Sequence, residues 1–101
     1  MAVVIESSST TSWSSGDGTL NKPSGTVDGN LIIIAVGGDM GASEDHTYTI
    51  AGFSTLLADT RSHATNAGTD LQIFYKIASG EGASWTIDID SDNLTGATAL
   101  R

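Results

Sequence analysis

The chain has 101 residues, a hydrophobic fraction of 39% and a net charge of −8, with 4 Lys and Arg against 12 Asp and Glu. This length fits one domain with a modest core, and the hydrophobic fraction excludes a disordered chain. Four scattered cations cannot form the basic face that nucleic-acid binding requires, and an anionic membrane surface would repel the chain. We therefore expect neither nucleic acid nor a membrane as a partner.

Cysteine is absent, so the chain offers no disulfide framework, thiolate metal site or thiol nucleophile. Residues 1–5 lack the positive start of a secretory signal, and their apolar run ends at Glu6. The longest apolar run covers only residues 31–36, which is too short to span a bilayer. We expect no signal peptide and no membrane span.

Ser and Thr fill 26 positions and Gly 12, and several segments alternate between apolar and polar residues, which predicts an all-β domain. Val3, Val4 and Ile5 predict a short first strand. A Ser/Thr tract interrupted by Trp13 follows, and Gly16-Asp17-Gly18 predicts a turn. We expect residues 1–19 to form an N-terminal strand and arm, and residues 20–101 to form the β-domain.

Residues 20–25 are predicted to be a connector, because Pro23 fixes its own backbone. Asp28-Gly29 predicts a turn. The following run, residues 31–36, has no polar alternation, so it is expected to be a central strand buried on both faces that ends at Gly37-Gly38.

In the second half, alternation predicts strands over residues 46–50, 70–78 and 84–90, and residues 98–100 begin a last strand. Residues 53–57 form a short apolar piece, and residues 60–69 are polar enough for a surface loop. One face of the 70–78 strand carries Leu71, Ile73, Tyr75 and Ile77, and we expect Tyr75 to point inward. Trp85, Ile87 and Ile89 are expected to face the core.

Short strands at this spacing predict a single-domain antiparallel sandwich of two sheets, similar to a jelly roll. Its central strands should be residues 31–36, 71–77 and 85–89.

Four segments, in order, resemble a β-sandwich module of tailed-bacteriophage virion proteins. They correspond to its KPxGxxxGDLLI, GWxxL, YYKxA and YTF pieces, and here read KPSGTVDGNLII at 22–33, GFSTLL at 52–57, FYKIA at 74–78 and SWTI at 84–87. The resemblance extends from Leu20 to Arg101. Asn30 stands where the module has Asp, and Phe53 where it has Trp.

Membership of this module implies a non-enzymatic structural protein of the virion without a cofactor, found in tail fibres, baseplates or head decorations. We expect capsid decoration or cement, with other virion proteins and further copies of the chain as partners. The alternative is a receptor- or carbohydrate-binding module of a tail fibre or baseplate that binds a host-surface glycan through Trp13, Tyr48 or residues 60–69.

Two groups of side chains are of types that occur in metal sites and in hydrolase active sites. Asp88, Asp90, Asp92 and Asn93 have the spacing with which a calcium loop begins, but Asn93 and Ala99 occupy the places of its Gly and closing Glu. We expect a solvated strand edge without metal there. His46 follows Asp45 and His63 follows Ser62, which leaves a small hydrolase as a third hypothesis, although no G-x-S-x-G sequence marks a nucleophile.

The N-terminal segment is the candidate partner contact. Val3, Val4, Ile5 and Trp13 supply apolar anchors, and residues 7–15 carry no charge. Trp13 could stack on a sugar, anchor a partner, or fold over the edge of the core. The Ser/Thr tract could pair with a neighbouring chain as an added strand. We expect the first 15 residues to carry much of the assembly contact.

Overall fold

The computed structural model describes residues 3–40, 47–61, 68–89 and 95–101. These ranges contain eight β-strands: β1 (Ser8–Trp13), β2 (Gly18–Asn21), β3 (Leu31–Met40), β4 (Tyr48–Ile50), β5 (Ser54–Arg61), β6 (Gly68–Ile77), β7 (Ser84–Ile89) and β8 (Thr95–Leu100). Within the described ranges no helix could cross a lipid bilayer.

The strands form two antiparallel sheets, one of five strands in the order β1-β8-β3-β6-β5 and one of three in the order β2-β7-β4. Pairs nest inside one another, because β1 pairs with β8, β2 with β7 and β3 with β6. Nested pairing of this kind is characteristic of a jelly roll. The predicted antiparallel sandwich is confirmed, as are its central strands β3, β6 and β7.

The core lies between the two sheets and is filled by alternate side chains of the strands. Leu20, Ile32, Ile34 and Ile87 are completely buried. The predicted inward positions of Trp85 and Ile87 are confirmed, and Ile89 packs partly buried at the border of the core.

Strand β3 departs from its prediction in two ways. Ile32, Ile34 and Val36 are buried, but Leu31 is 47% exposed, because the small sheet covers only one face of the large one. The strand also continues through Gly37-Gly38 to Met40, because its ladder with β6 extends to Gly68. The expectation of a strand buried on both faces and ending at the glycines was therefore wrong.

Strand β6 has the predicted division of its side chains between two faces, but the opposite face points inward. Phe74 is 3% exposed and lies in the core, whereas Tyr75 is 40% exposed. The expectation that Tyr75 points inward was wrong. In register, Tyr75 lies beside Ile33 of β3, on the side of the large sheet that faces away from the small one.

The N-terminal region also differs from its prediction. Residues 3–7 form no strand, whereas the Ser/Thr tract does, since β1 pairs with β8 of the same chain over its whole length. This strand forms because its backbone pairs with β8, and not because its side chains are hydrophobic. The predicted connector begins inside β2, where Leu20 is buried. Residues on both sides of the expected boundary at 19 and 20 therefore belong to the sandwich.

The apolar piece at residues 53–57 and the predicted loop at residues 60–69 both contribute to strands. The apolar piece at residues 53–57 leads into β5, whose register with β6 shifts between Thr55 and Leu57. Residues 60 and 61 end β5, residues 68 and 69 begin β6, and 62–67 lie outside the described residues. The Asp28-Gly29 turn is confirmed, with a φ of 92° at Gly29 that suits glycine.

Candidate functional site

The outward side of the five-stranded sheet carries a continuous apolar surface, which we call the outer face. Cross-strand register brings its members side by side, since Leu31, Ile33 and Ala35 of β3 lie opposite Ile77, Tyr75 and Ile73 of β6. The apolar residues of the outer face are Leu31, Ile33, Ala35, Leu57, Leu71, Ile73, Tyr75, Ile77 and Leu100. Ser54 and Thr98 lie opposite Tyr75 and Ala35 in register, and Asp59 of β5 is in register with Leu71.

The most exposed of these side chains lie on β6 and its neighbours. Ile77 is 57% exposed, and Leu31, Leu57, Leu71 and Tyr75 are each 40% exposed or more. No described side chain in this set is charged. Because soluble domains rarely leave so many large apolar side chains together in water, the outer face is the main candidate for a binding surface.

Residues 3–5 extend this surface beyond the start of β3. Val3, Val4 and Ile5 are 97%, 65% and 63% exposed. The segment is tied to the sheet just behind them, where the Glu6 amide donates to the Arg101 carbonyl at 2.6 Å and the Arg101 amide donates to the Ser7 carbonyl at 3.0 Å.

Between this segment and the sheet runs an open groove of about 210 Å³. It is lined by Val3, Val4, Ile5, Glu6, Asn30, Leu31, Ile33, Leu100 and Arg101. Three of the four predicted contact residues therefore lie beside the outer face and continue it.

Trp13, the fourth predicted contact residue, lies on the inner side of β1 and packs partly buried against the core. Its Nε1 donates to the Gly16 carbonyl at 2.7 Å. Its ring lies so close to Gly18 that a Cβ there would overlap it. Of the alternatives for Trp13, the structure shows a ring folded over the edge of the core.

A second cluster lies at one end of the sandwich around Glu81. Its carboxylate contacts the Lys76 Nζ at 2.6 Å and accepts from the Trp85 Nε1 at 2.8 Å. The Phe53 ring packs edge-on against Trp85, with 5.4 Å between centroids, and the Lys76 Nζ lies 5.5 Å from the Phe53 centroid. The Lys22 Nζ donates to the Glu81 carbonyl.

The electrostatics of this cluster are those of a structural ion pair. The bond from Lys76, helped by those from the Trp85 indole and the Ser79 amide, outweighs desolvation and lowers the pKa of Glu81 from 4.5 to about 2. The carboxylate is therefore ionised at neutral pH, and with a pKa of about 2 it is too weak a base to suit general-base catalysis.

The Glu81 cluster also explains the four sequence segments. Lys22, Phe53, Lys76 and Trp85 each come from a different segment and gather around Glu81. Lys76 and Trp85 contact its carboxylate, Lys22 bonds its backbone carbonyl, and Phe53 packs against Trp85. The four segments, which are distant along the chain, are therefore in contact with one another in the folded domain. Sequence reasoning missed Glu81, because a single acidic residue in a glycine turn gives no pattern.

Tyr48 of β4, in the small sheet, is buried in the core between the two sheets. Its hydroxyl donates to Oδ1 of Asp70 at 2.7 Å, and the Gly38 amide donates to the same oxygen at 2.9 Å. The other oxygen, Asp70 Oδ2, has no hydrogen-bond partner among the described residues. Tyr48 therefore presents no ring surface to a ligand.

The remaining predicted site residues fall mostly outside the described ranges. Asp88 is exposed on β7, whereas Asp90, Asp92 and Asn93 lie outside the described residues. The same holds for Asp45, His46, Ser62 and His63. In the part of the chain that the structure describes, no three His, Asp or Glu side chains come together as a metal site.

Comparison of the chain with protein-family models, with curated proteins and with solved structures finds no match.

Proposed function

We propose that this chain is a non-enzymatic structural protein of a tailed-phage virion, acting in capsid decoration or cementing through protein–protein contacts. The observation that supports a contact function is the outer face, whose described side chains are uncharged and mostly apolar on a chain with a net charge of −8. Interfaces between proteins are depleted of charge at their centre and enriched in aromatic anchors, as here with Tyr75.

The virion part of the proposal is supported by the four ordered segments between residues 22 and 87. A glycan-binding module of a tail fibre is less well supported, because the two aromatic residues it would use are engaged within the domain. Trp13 donates to Gly16 and Tyr48 to Asp70.

The test is the number of copies in gradient-purified particles of the encoding phage, measured by quantitative mass spectrometry. A decoration protein is expected in hundreds of copies, on the order of the number of shell subunits, whereas a tail protein occurs in low multiples of three or six. Absence from the particles would refute a virion role.

A truncation then locates the contact. Removing residues 1–5 leaves β1 and the pairing of residues 6 and 7 with Arg101 intact, whereas a deletion of residues 1–15 would also remove a strand. We expect the truncated protein to fold and to enter particles at clearly reduced occupancy. The control is Val27→Ser, an equally exposed apolar residue on the β2–β3 connection. Wild-type occupancy of the truncated protein would exclude residues 3–5 as the contact.

A further inference from the structure

The outer face has the size of a stable interface. Together with residues 3–5, the exposed fractions of its side chains correspond to an area on the order of 800 Å², similar to what one partner contributes to a standard-size complex. The largest apolar patch of a typical monomer measures about 300–600 Å², so this surface exceeds it only with residues 3–5, which supply nearly half of the area. A partner that covers this surface therefore buries enough area to bind stably.

The described sheet edges do not favour strand addition. At one edge of the large sheet, β5 is interrupted by the register shift at Leu56, and at one edge of the small sheet, β4 has only three residues. The other edge strands of the two sheets, β1 and β2, lie against each other, and Ser9 Oγ donates to the Asn21 carbonyl. Shifts and short edges are devices that prevent edge pairing, so a partner approaches the face and not the edge.

Charge favours a second copy of the chain as that partner. A basic partner would be recognised through the acidic residues, yet the described side chains of the outer face carry no charge. At its border lie Glu6 and Arg101, which have opposite signs. Between two copies that meet through their outer faces, the described side chains bring no like charges together. Such charge-poor, apolar composition is typical of homodimer interfaces.

We propose that the outer face binds the outer face of a second copy, around a two-fold axis. This inference rests on the proposed function only in assigning the outer face to protein contacts, and it names the partner. Each face presents rows of side chains from adjacent strands, and two such pleated surfaces interdigitate at a spacing of about 10 Å, as in the core of a sandwich. Tyr75 lies between Ile33 and Ser54 in cross-strand register and forms the central anchor.

The experiment measures the oligomeric state of the purified full chain by sedimentation equilibrium between about 1 and 100 μM, which covers the weak end of the affinities that standard-size interfaces reach. We expect a monomer–dimer equilibrium in this range. Ile77→Lys places a charge on the outer face, and because a two-fold interface contains each position twice, the dissociation constant should rise at least about a hundredfold. The control Val27→Lys, at a similarly exposed site off the sheet, should change it by less than about threefold.

Two further measurements keep the test decisive. Circular dichroism verifies that each variant is folded, and Leu31→Lys, opposite Ile77 in register, replaces Ile77→Lys if that variant unfolds. Raising the NaCl concentration should strengthen the dimer several-fold, because it screens repulsion between two chains of charge −8. A dimer that weakens with salt would contradict the uncharged interface.

The inference fails if the wild-type chain stays monomeric at about 100 μM, or if Ile77→Lys dimerises as well as Val27→Lys. A monomer that still enters virions through the outer face refutes self-association and leaves the proposed function standing. A dimer that is absent from particles supports self-association and refutes the proposed virion function.

Discussion

The ion pair between Glu81 and Lys76 allows a quantitative prediction. Glu81→Gln removes the carboxylate charge and keeps one oxygen, which can accept from the Trp85 Nε1, while its NH2 group replaces the oxygen that contacts Lys76 and accepts from the Ser79 amide. The Lys76 ammonium then loses its ionic partner and retains the Phe53 ring. The perturbation therefore removes the charge together with one hydrogen-bond acceptor, while the shape of the cluster stays nearly the same.

The expected magnitude follows from burial and from the pKa. The side chains of Glu81 and Lys76 are 7% and 21% exposed, so the pair lies between an exposed pair, worth about 0–1 kcal/mol, and a buried pair, whose disruption costs about 3–5 kcal/mol. The fall in the pKa of Glu81 from 4.5 to about 2 corresponds to about 3 kcal/mol. We expect a loss of about 2–3 kcal/mol at pH 7, or roughly 10 °C or more in Tm.

The loss of stability in Glu81→Gln should also become smaller as the pH falls. Folding lowers the pKa of Glu81, so its contribution to stability is complete above pH 4.5 and disappears as the pH falls from 4.5 to about 2. Urea unfolding of the wild type and of Glu81→Gln at several pH values measures this difference, which should shrink over that interval. Glu6→Gln, at an exposed carboxylate, is the control and should change stability by less than about 0.5 kcal/mol.

The free energies of unfolding of the wild type and of Glu81→Gln could differ by less than about 0.5 kcal/mol at pH 7. The pair would then belong with the surface ion pairs that contribute nothing measurable to stability. A large difference that stays constant down to pH 2 would mean that packing, and not charge, accounts for it. Either result refutes the electrostatic reasoning.

Two other perturbations test the interior and the acidic run. Gly18→Val should destabilise the protein by at least about 2 kcal/mol in urea unfolding, because its side chain would overlap the Trp13 ring; a neutral effect would show that Trp13 is not held there. A chelator should leave the Tm unchanged, because the run from Asp88 to Asn93 lacks the closing ligands of a calcium loop; a drop of many degrees would reveal a metal.

Sequence patterns predicted the strands well where one face is polar. In β7, alternation places Trp85 and Ile87 inside and Thr86 and Asp88 outside, as observed. In β6, polarity favoured the wrong face, because the face that carries Tyr75 is more apolar than the face that carries Phe74. The structure turns Phe74 inward together with Gln72, and leaves the more apolar face exposed. An apolar strand that carries a binding surface looks, in sequence, like a strand buried on both faces.

The N-terminal region shows a different limit. Val3, Val4 and Ile5 have the highest strand propensity of that region, yet the strand is the Ser/Thr tract, because only the tract has a partner in β8. Pairing between residues so distant along the chain leaves no local signal. The same applies to Glu81, whose role depends on partners from four separate segments.

The position of β8 between β1 and β3 has a consequence for folding. Strand β1 has no neighbour in the large sheet until residues 95–100 are available, so it stays unpaired there while β3, β5 and β6 can already pair. Such long-range closure places folding in the slow range of about milliseconds to seconds. A waiting strand of Val and Ile would invite aggregation, whereas one of Ser and Thr stays hydrated until its place in the sheet exists. The polar composition of β1 thus suits the order in which the sheet is assembled.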